Sequence, residues 1–182
     1  MHEKTVLDEE GMRRALVRIA HEIVERTDVR DVAIVGIRRR GAVIATRIHE
    51  LLEGLVDHEI PLAHIDISPW RDDAERRTGD PSDAIHRIPF DVDERTIILV
   101  DDVLFTGRTV RAAIDAVFDH GRPARVQLAV LADRGHRELP IRPDYVGKNL
   151  PTARNERVNV RVREVDGDDA TLIAVQEAEV AR

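Results

Sequence analysis

The 182-residue chain has no cysteine, which excludes disulfides and thiolate metal sites. It has no apolar run near the roughly 20 residues that a membrane span requires. The N-terminal stretch MHEKTVLDEEGM lacks the apolar core of a signal peptide, so a cytoplasmic location is the expectation. Aromatic residues make up only 3% of the chain, too few for the stacking platform of a sequence-general single-strand binder. Only Lys4 and Lys148 are lysines; the other basic residues are arginines. That suits bidentate phosphate recognition, although a GC-rich genome would give the same bias. The net charge of −7 argues against a general nucleic-acid binder but allows one basic face on an acidic body. The eight histidines include no HExxH, which leaves a metal hydrolase without support. Neither GxxxxGK[ST] nor GxGxxG occurs, so a P-loop and a dinucleotide fingerprint are both excluded.

What is present centres on residues 97–109, IILVDDVLFTGRT. Four apolar residues read as a strand buried on both faces of a parallel sheet. Asp101 and Asp102 follow as an acidic turn, Val103, Leu104 and Phe105 as a short loop, and Thr106, Gly107, Arg108 and Thr109 as the opening of a helix. Unpaired amides and the positive end of the helix dipole attract an anion there, and Gly107 allows close backbone approach. The carboxylates repel a phosphate and suit a polyol or Mg²⁺. The ligand that fits both halves carries a phosphate at one end and hydroxyls with Mg²⁺ at the other. An ordinary strand–turn–helix is the competing reading, but an Asp-Asp pair serves a plain turn poorly.

In chain order, Asp8 is a candidate helix cap and residues 9–26 have amphipathic helical spacing, with Arg13, Arg14, Arg18 and His21 on the outer face. Residues 32–37, VAIVGI, read as a buried strand that runs into Arg38, Arg39, Arg40 and Gly41, a second anion site at a strand end. A helix follows, and 61–67 is another strand. Residues 68–87 lack apolar periodicity; with Trp70 and Arg71 at their base they are expected to form a flap or arm that closes over substrate. Residues 109–120 read as a helix with Gly121 beyond its end, and 126–131 as a core strand. Alternation at Val158, Val160 and Val162, the turn at Asp166-Gly167 and the return over 171–175 predict a β-hairpin at a sheet edge. Strand–helix alternation makes this one α/β domain with a mostly parallel central sheet flanked by helices.

Residues 97–109 resemble, position by position, the 5-phosphoribosyl-1-pyrophosphate (PRPP) motif of type I phosphoribosyltransferases. The resemblance implies that Asp101 and Asp102 hold the ribose hydroxyls and Thr106, Gly107, Arg108 and Thr109 the 5-phosphate, with Val103, Leu104 and Phe105 as further PRPP or nucleotide contacts. Arg40 and Gly41 match the family's pyrophosphate loop, whereas Arg39 stands where close relatives usually carry threonine. Mg²⁺ is implied as a cofactor bound with PRPP, through Asp101 and Asp102 at most. In purine-specific relatives an acid stands where this chain has Phe105, so a purine substrate is disfavoured.

RIAHEIVER (18–26) and DRGHRELPIRPDYVGKNLPT (133–152) extend the likeness over nearly the whole chain to the PyrR family, bifunctional pyrimidine-operon regulators with uracil phosphoribosyltransferase activity. This resemblance implies that uracil and PRPP are converted to UMP and pyrophosphate. Asp133 and Arg134 would stand beside the nucleotide, with Val158 closing the pocket. It further implies that UMP or UTP promotes binding to a stem-loop in the pyrimidine-operon leader mRNA, which controls attenuation. The basic patch carries over as His21, Arg137, Arg142 and Lys148, with Val17 replacing a polar residue. Solvated surface or an intersubunit salt bridge is the plainer reading of those cations. A homodimer is implied, with tetramer or hexamer as further assembly. The alternative is a uracil phosphoribosyltransferase that acts in salvage without an RNA role.

Overall fold

The computed structural model describes residues 3–67 and 87–175. All but the first residue of the expected flap, counted from its C-terminal end at Arg87, thus lie outside the described residues, as do Trp70 and Arg71. The chain order begins with β1 (Glu3–Leu7), α1 (Glu9–Arg26), β2 (Val32–Ile37), α2 (Arg40–Glu53) and β3 (Leu62–Ile65). It continues with β4 (Thr96–Leu104), α3 (Arg108–Phe118), β5 (Arg125–Asp133) and β6 (Tyr145–Asn149). The last elements are β7 (Glu156–Arg161), a short helix α4 (Arg163–Asp166) and β8 (Ala170–Val175).

Five strands form a sheet in the order β3-β2-β4-β5-β6, with every neighbouring pair parallel. Parallel strands require crossovers, and α2 and α3 supply two of them on opposite faces. One core packs Met12, Ile19, Ile44 and Ile48 against Ile34, Ile98 and Val100. The other packs Val110, Ala113 and Val117 against Val35, Ile97 and Leu99. Alternate residues of 97–100 therefore go to different cores, which is why that run is apolar throughout. Each such isoleucine or leucine contributes about 1.5–3 kcal/mol by burial.

The helix at 9–26 is confirmed, and Asp8 caps it by accepting the Gly11 amide at 2.8 Å. Three expectations need correction. The strand of the central motif extends through Leu104, so Asp101 and Asp102 lie in β4 rather than in a turn. The helix after it closes at Phe118 with Asp119 at its C-cap, before Gly121. The C-terminal hairpin, β7 with β8, is not an edge of the main sheet. It forms a separate antiparallel sheet ordered β1-β8-β7, completed by an N-terminal strand that the sequence pattern did not reveal. Because the main sheet is parallel, the carboxyl ends of β2, β4 and β5 open on one edge, the usual place for a ligand in an open α/β sheet.

Candidate active site

Asp101 and Asp102 are consecutive on a strand, so their side chains diverge. Asp102 is half-buried and lines a cavity of about 470 Å³ together with Arg40, Val158, Val160, Arg161 and Asp166. Asp101 is buried, and its Oδ1 accepts the Asp102 amide at 2.9 Å. Burial, and then the adjacent Asp102 carboxylate, push the Asp101 carboxyl well above the usual carboxylate range. Asp101 also explains Gly41: a Cβ at Gly41 would stand 2.8 Å from the Val100 carbonyl and 3.0 Å from Asp101 Oδ1. The start of α2 is thereby pressed onto the middle of β4.

The phosphate cradle follows at once. Gly107 caps α3 with φ of 94°, a left-handed conformation that L side chains resist. The Arg108 amide meets Thr106 Oγ1 at 3.3 Å, and the Thr106 carbonyl accepts the amides of Glu138 and Leu139 at 2.9 and 3.2 Å. The loop after β5 thus braces the cradle from behind. No acidic residue occupies the first turn of α3 to compete with an anion.

At the end of β2, Arg38 and Arg39 are exposed and the peptide between them is cis. Arg39 sits at the cap position of α2 and makes no side-chain capping bond, which leaves that helix start without a side-chain cap. Arg40 reaches the cavity but is gripped bidentately by Asp166, from Nε to Oδ2 at 2.9 Å and from Nη2 to Oδ1 at 2.7 Å. Arg40 in turn holds the Asp166 carboxyl down to about 2. The sequence marks Asp166 only as a turn residue; a pairing across 126 positions leaves no local signal.

Around the end of β5, Phe105 is exposed. The Arg134 guanidinium lies 4.0 Å from its ring centroid, and His136 meets the ring edge-on at 6.1 Å. Arg134 also donates to Thr152 Oγ1 at 3.1 Å and to the Glu156 carbonyl. Asp133 does not point freely at a ligand: Oδ1 accepts the Gly135 amide at 2.9 Å and Oδ2 accepts Arg137 at 2.6 Å. Val158 is buried against Ala132 and Leu150.

The expected RNA patch divides. His21, Arg142 and Lys148 are exposed, and α1 lies beside β6 through Arg18, which donates to the Val146 and Gly147 carbonyls. Val17 is half-buried. Arg137 is half-buried and engaged within its own chain. Besides Asp133 it donates to the carbonyls of Ile141 at 2.9 Å, Phe105 at 3.0 Å and Gly135 at 3.3 Å.

A parallel sheet with an anion cradle after β4, an arginine–glycine turn after β2 and a small antiparallel sheet over the cavity defines a phosphoribosyltransferase fold. Comparison with known proteins agrees. Residues 2–164 match the phosphoribosyl transferase domain family. The "Bifunctional protein PyrR" of Roseiflexus sp. (strain RS-1) is 59% identical over 92% of each chain. That of Chloroflexus aurantiacus is 56% identical over 94% of this chain and 95% of its own. Among solved structures, a hypoxanthine phosphoribosyltransferase from Staphylococcus aureus superposes with a TM-score of 0.70 at 17% identity, covering 98% of this chain and 94% of its own. At that identity it speaks for the fold alone. The chain belongs to the PyrR family of phosphoribosyl transferase domain proteins.

Proposed function

We propose that the protein transfers the phosphoribosyl group of PRPP to uracil, giving UMP and pyrophosphate, and that with UMP bound it binds pyrimidine-operon leader mRNA and controls attenuation. The observation that carries the transferase half is the cavity at the strand ends, lined by both Asp102 and Arg40, with the N-terminus of α3 following β4 a few residues on. The uracil and RNA halves are supported by relatives above 50% identity that bear a bifunctional name.

N1 of uracil displaces pyrophosphate from C1 and loses its proton. Charge grows positive on the ribose and negative on the leaving group, so the work is positioning and electrostatic stabilisation. Asp102 faces the ribose hydroxyls and stabilises the positive charge. Arg40 and Gly41 hold pyrophosphate, and Thr106, Gly107, Arg108 and Thr109 hold the 5-phosphate. Among the described residues no group of three or more His, Asp or Glu side chains could hold a metal alone. Asp102, a half-buried carboxylate on the cavity wall beside the Arg40–Asp166 pair, is a hard oxygen donor that would suit Mg²⁺ bound with PRPP. Mg²⁺ bound with PRPP supplies charge neutralisation on the pyrophosphate. Phe105, with Arg134 stacked on its ring, forms one side of the base site, with backbone groups after Asp133 reading the polar edge of the base and Val158 backing the pocket. Exposed His21, Arg142 and Lys148 form the RNA face, and the acting species is a homodimer or a higher assembly of it.

The test mixes protein, PRPP, Mg²⁺ and either uracil or hypoxanthine and measures pyrophosphate release. Leader RNA binding is then measured with and without UMP at two salt concentrations. Uracil-dependent release with UMP-enhanced, salt-sensitive RNA binding supports both halves. Release without RNA binding leaves a salvage enzyme, and hypoxanthine-dependent release overturns the base assignment.

A further inference from the structure

We propose that Asp166 is a positioning residue for Arg40: it holds one edge of the guanidinium so that the other edge is presented to leaving pyrophosphate. This rests on the transferase reading above. A guanidinium has five N–H groups in a rigid fork. Asp166 takes the Nε and Nη2 edge in a two-point pair. The Nη1 group has no partner among the described residues, and Arg40 lines the same cavity as Asp102. A side chain of this length has many rotamers, and fixing one edge selects those that aim the other at the cavity.

Asp166 can act in this way because it is itself fixed. Its Oδ2 also accepts the Val162 amide at 2.9 Å, and its own amide donates to the Val162 carbonyl at 2.7 Å. The turn that carries it is tied to α2 a second time. Arg47, two helical turns after Arg40, pairs with Glu164 at 2.6 Å and with Asp169 at 2.8 Å. Asp169 in turn accepts the Arg163 amide at 2.7 Å. Two arginines on one helix thus clasp one acidic turn. Only the Arg40 clasp opens on the cavity shared with Asp102; Arg47 lines a different groove, with Glu9, Leu16 and Leu51. The same cavity is walled by Val158 and Val160 of β7, so Asp166 joins the element that backs the base to the arginine that meets pyrophosphate.

Steady-state kinetics on four proteins separates positioning from simple support of the turn. In Asp166→Asn the KM for PRPP rises at least about tenfold while the KM for uracil stays within about twofold. Asp166→Glu, which keeps a carboxylate, recovers part of the loss. Arg47→Gln, which loosens the same turn without touching Arg40, lowers Tm but leaves the KM for PRPP within about twofold. A wild-type KM for PRPP in Asp166→Asn, or an equal rise in Arg47→Gln, overturns the positioning role. Wild-type protein that neither binds nor consumes PRPP overturns the transferase reading and this inference with it.

Discussion

Asp101 and Asp102 are neighbours in β4 with opposite surroundings: Asp101 is buried, and its Oδ1 receives the Asp102 amide, whereas Asp102 opens on the cavity shared with Arg40. The two carboxylates of the motif therefore have separable roles. Asp102→Asn removes a negative charge from the cavity wall and retains shape. Turnover with uracil and PRPP is expected to fall at least about tenfold, or roughly 1.4 kcal/mol, with little change in Tm. Unchanged kinetics would remove Asp102 from the reaction.

Asp101 gives a prediction about stability and pH. Its carboxyl titrates above the ordinary 3.8 because it is buried and because Asp102 adjoins it. The folded protein therefore holds this proton more tightly than the unfolded chain. The resulting stability is complete below the unfolded value and is lost as pH rises through the folded one. Asp101→Asn removes the cost of an ionised buried group and keeps an oxygen for the Asp102 amide. Its Tm advantage over wild type is expected to grow from pH 4 to pH 7 and to exceed about 2 °C at the upper end. A Tm difference that does not vary with pH contradicts the assignment.

The sheet and the cradle were legible in the sequence for a physical reason. A strand buried on both faces must be apolar at every position, so 32–37 and 97–100 stand out, and Gly107 marks the start of α3. Residues whose partners are remote were not legible. β1 reads EKTVL, exposed at Glu3, Lys4 and Thr5, and becomes a strand only by pairing with β8. The tie between Asp166 and Arg40 spans most of the chain. Arg137 looked like a free cation because nothing in DRGHRELPIR announces that it folds back onto Asp133. The sequence locates both aspartates of the motif but not their divergence, since its pattern points to a turn rather than a strand there.

Arg137 carries the next prediction. It joins Asp133 to the carbonyls of Phe105, Gly135 and Ile141, and so braces the loop that supports Thr106. Arg137→Ala leaves a half-buried carboxylate without its partner, at a cost on the order of 2–4 kcal/mol. Thermal melting should show a drop of at least about 5 °C. The KM for PRPP should rise as the cradle loses its brace. Loss of RNA binding in this variant is then accompanied by loss of stability, and stable protein with selective loss of RNA binding would return Arg137 to the RNA face.

Arg142 and Lys148 behave differently, because both are exposed. RNA affinity that rests on phosphate contacts falls with salt, and each contact removed lowers the slope of log K against log[salt] by about 0.7–0.9. Arg142→Ala with Lys148→Ala should reduce that slope by about 1.5 and weaken RNA binding at low salt, with Tm and uracil turnover unchanged. Filter binding across a salt series reads the slope directly. Linkage adds a second requirement: if UMP tightens RNA binding by some factor, RNA must tighten UMP binding by the same factor. In the double variant the coupling factor should persist although both absolute RNA affinities fall, because the cations touch RNA and not the nucleotide. A coupling factor that collapses while the salt slope stays at the wild-type value would mean that Arg142 and Lys148 transmit the nucleotide signal and make no phosphate contact.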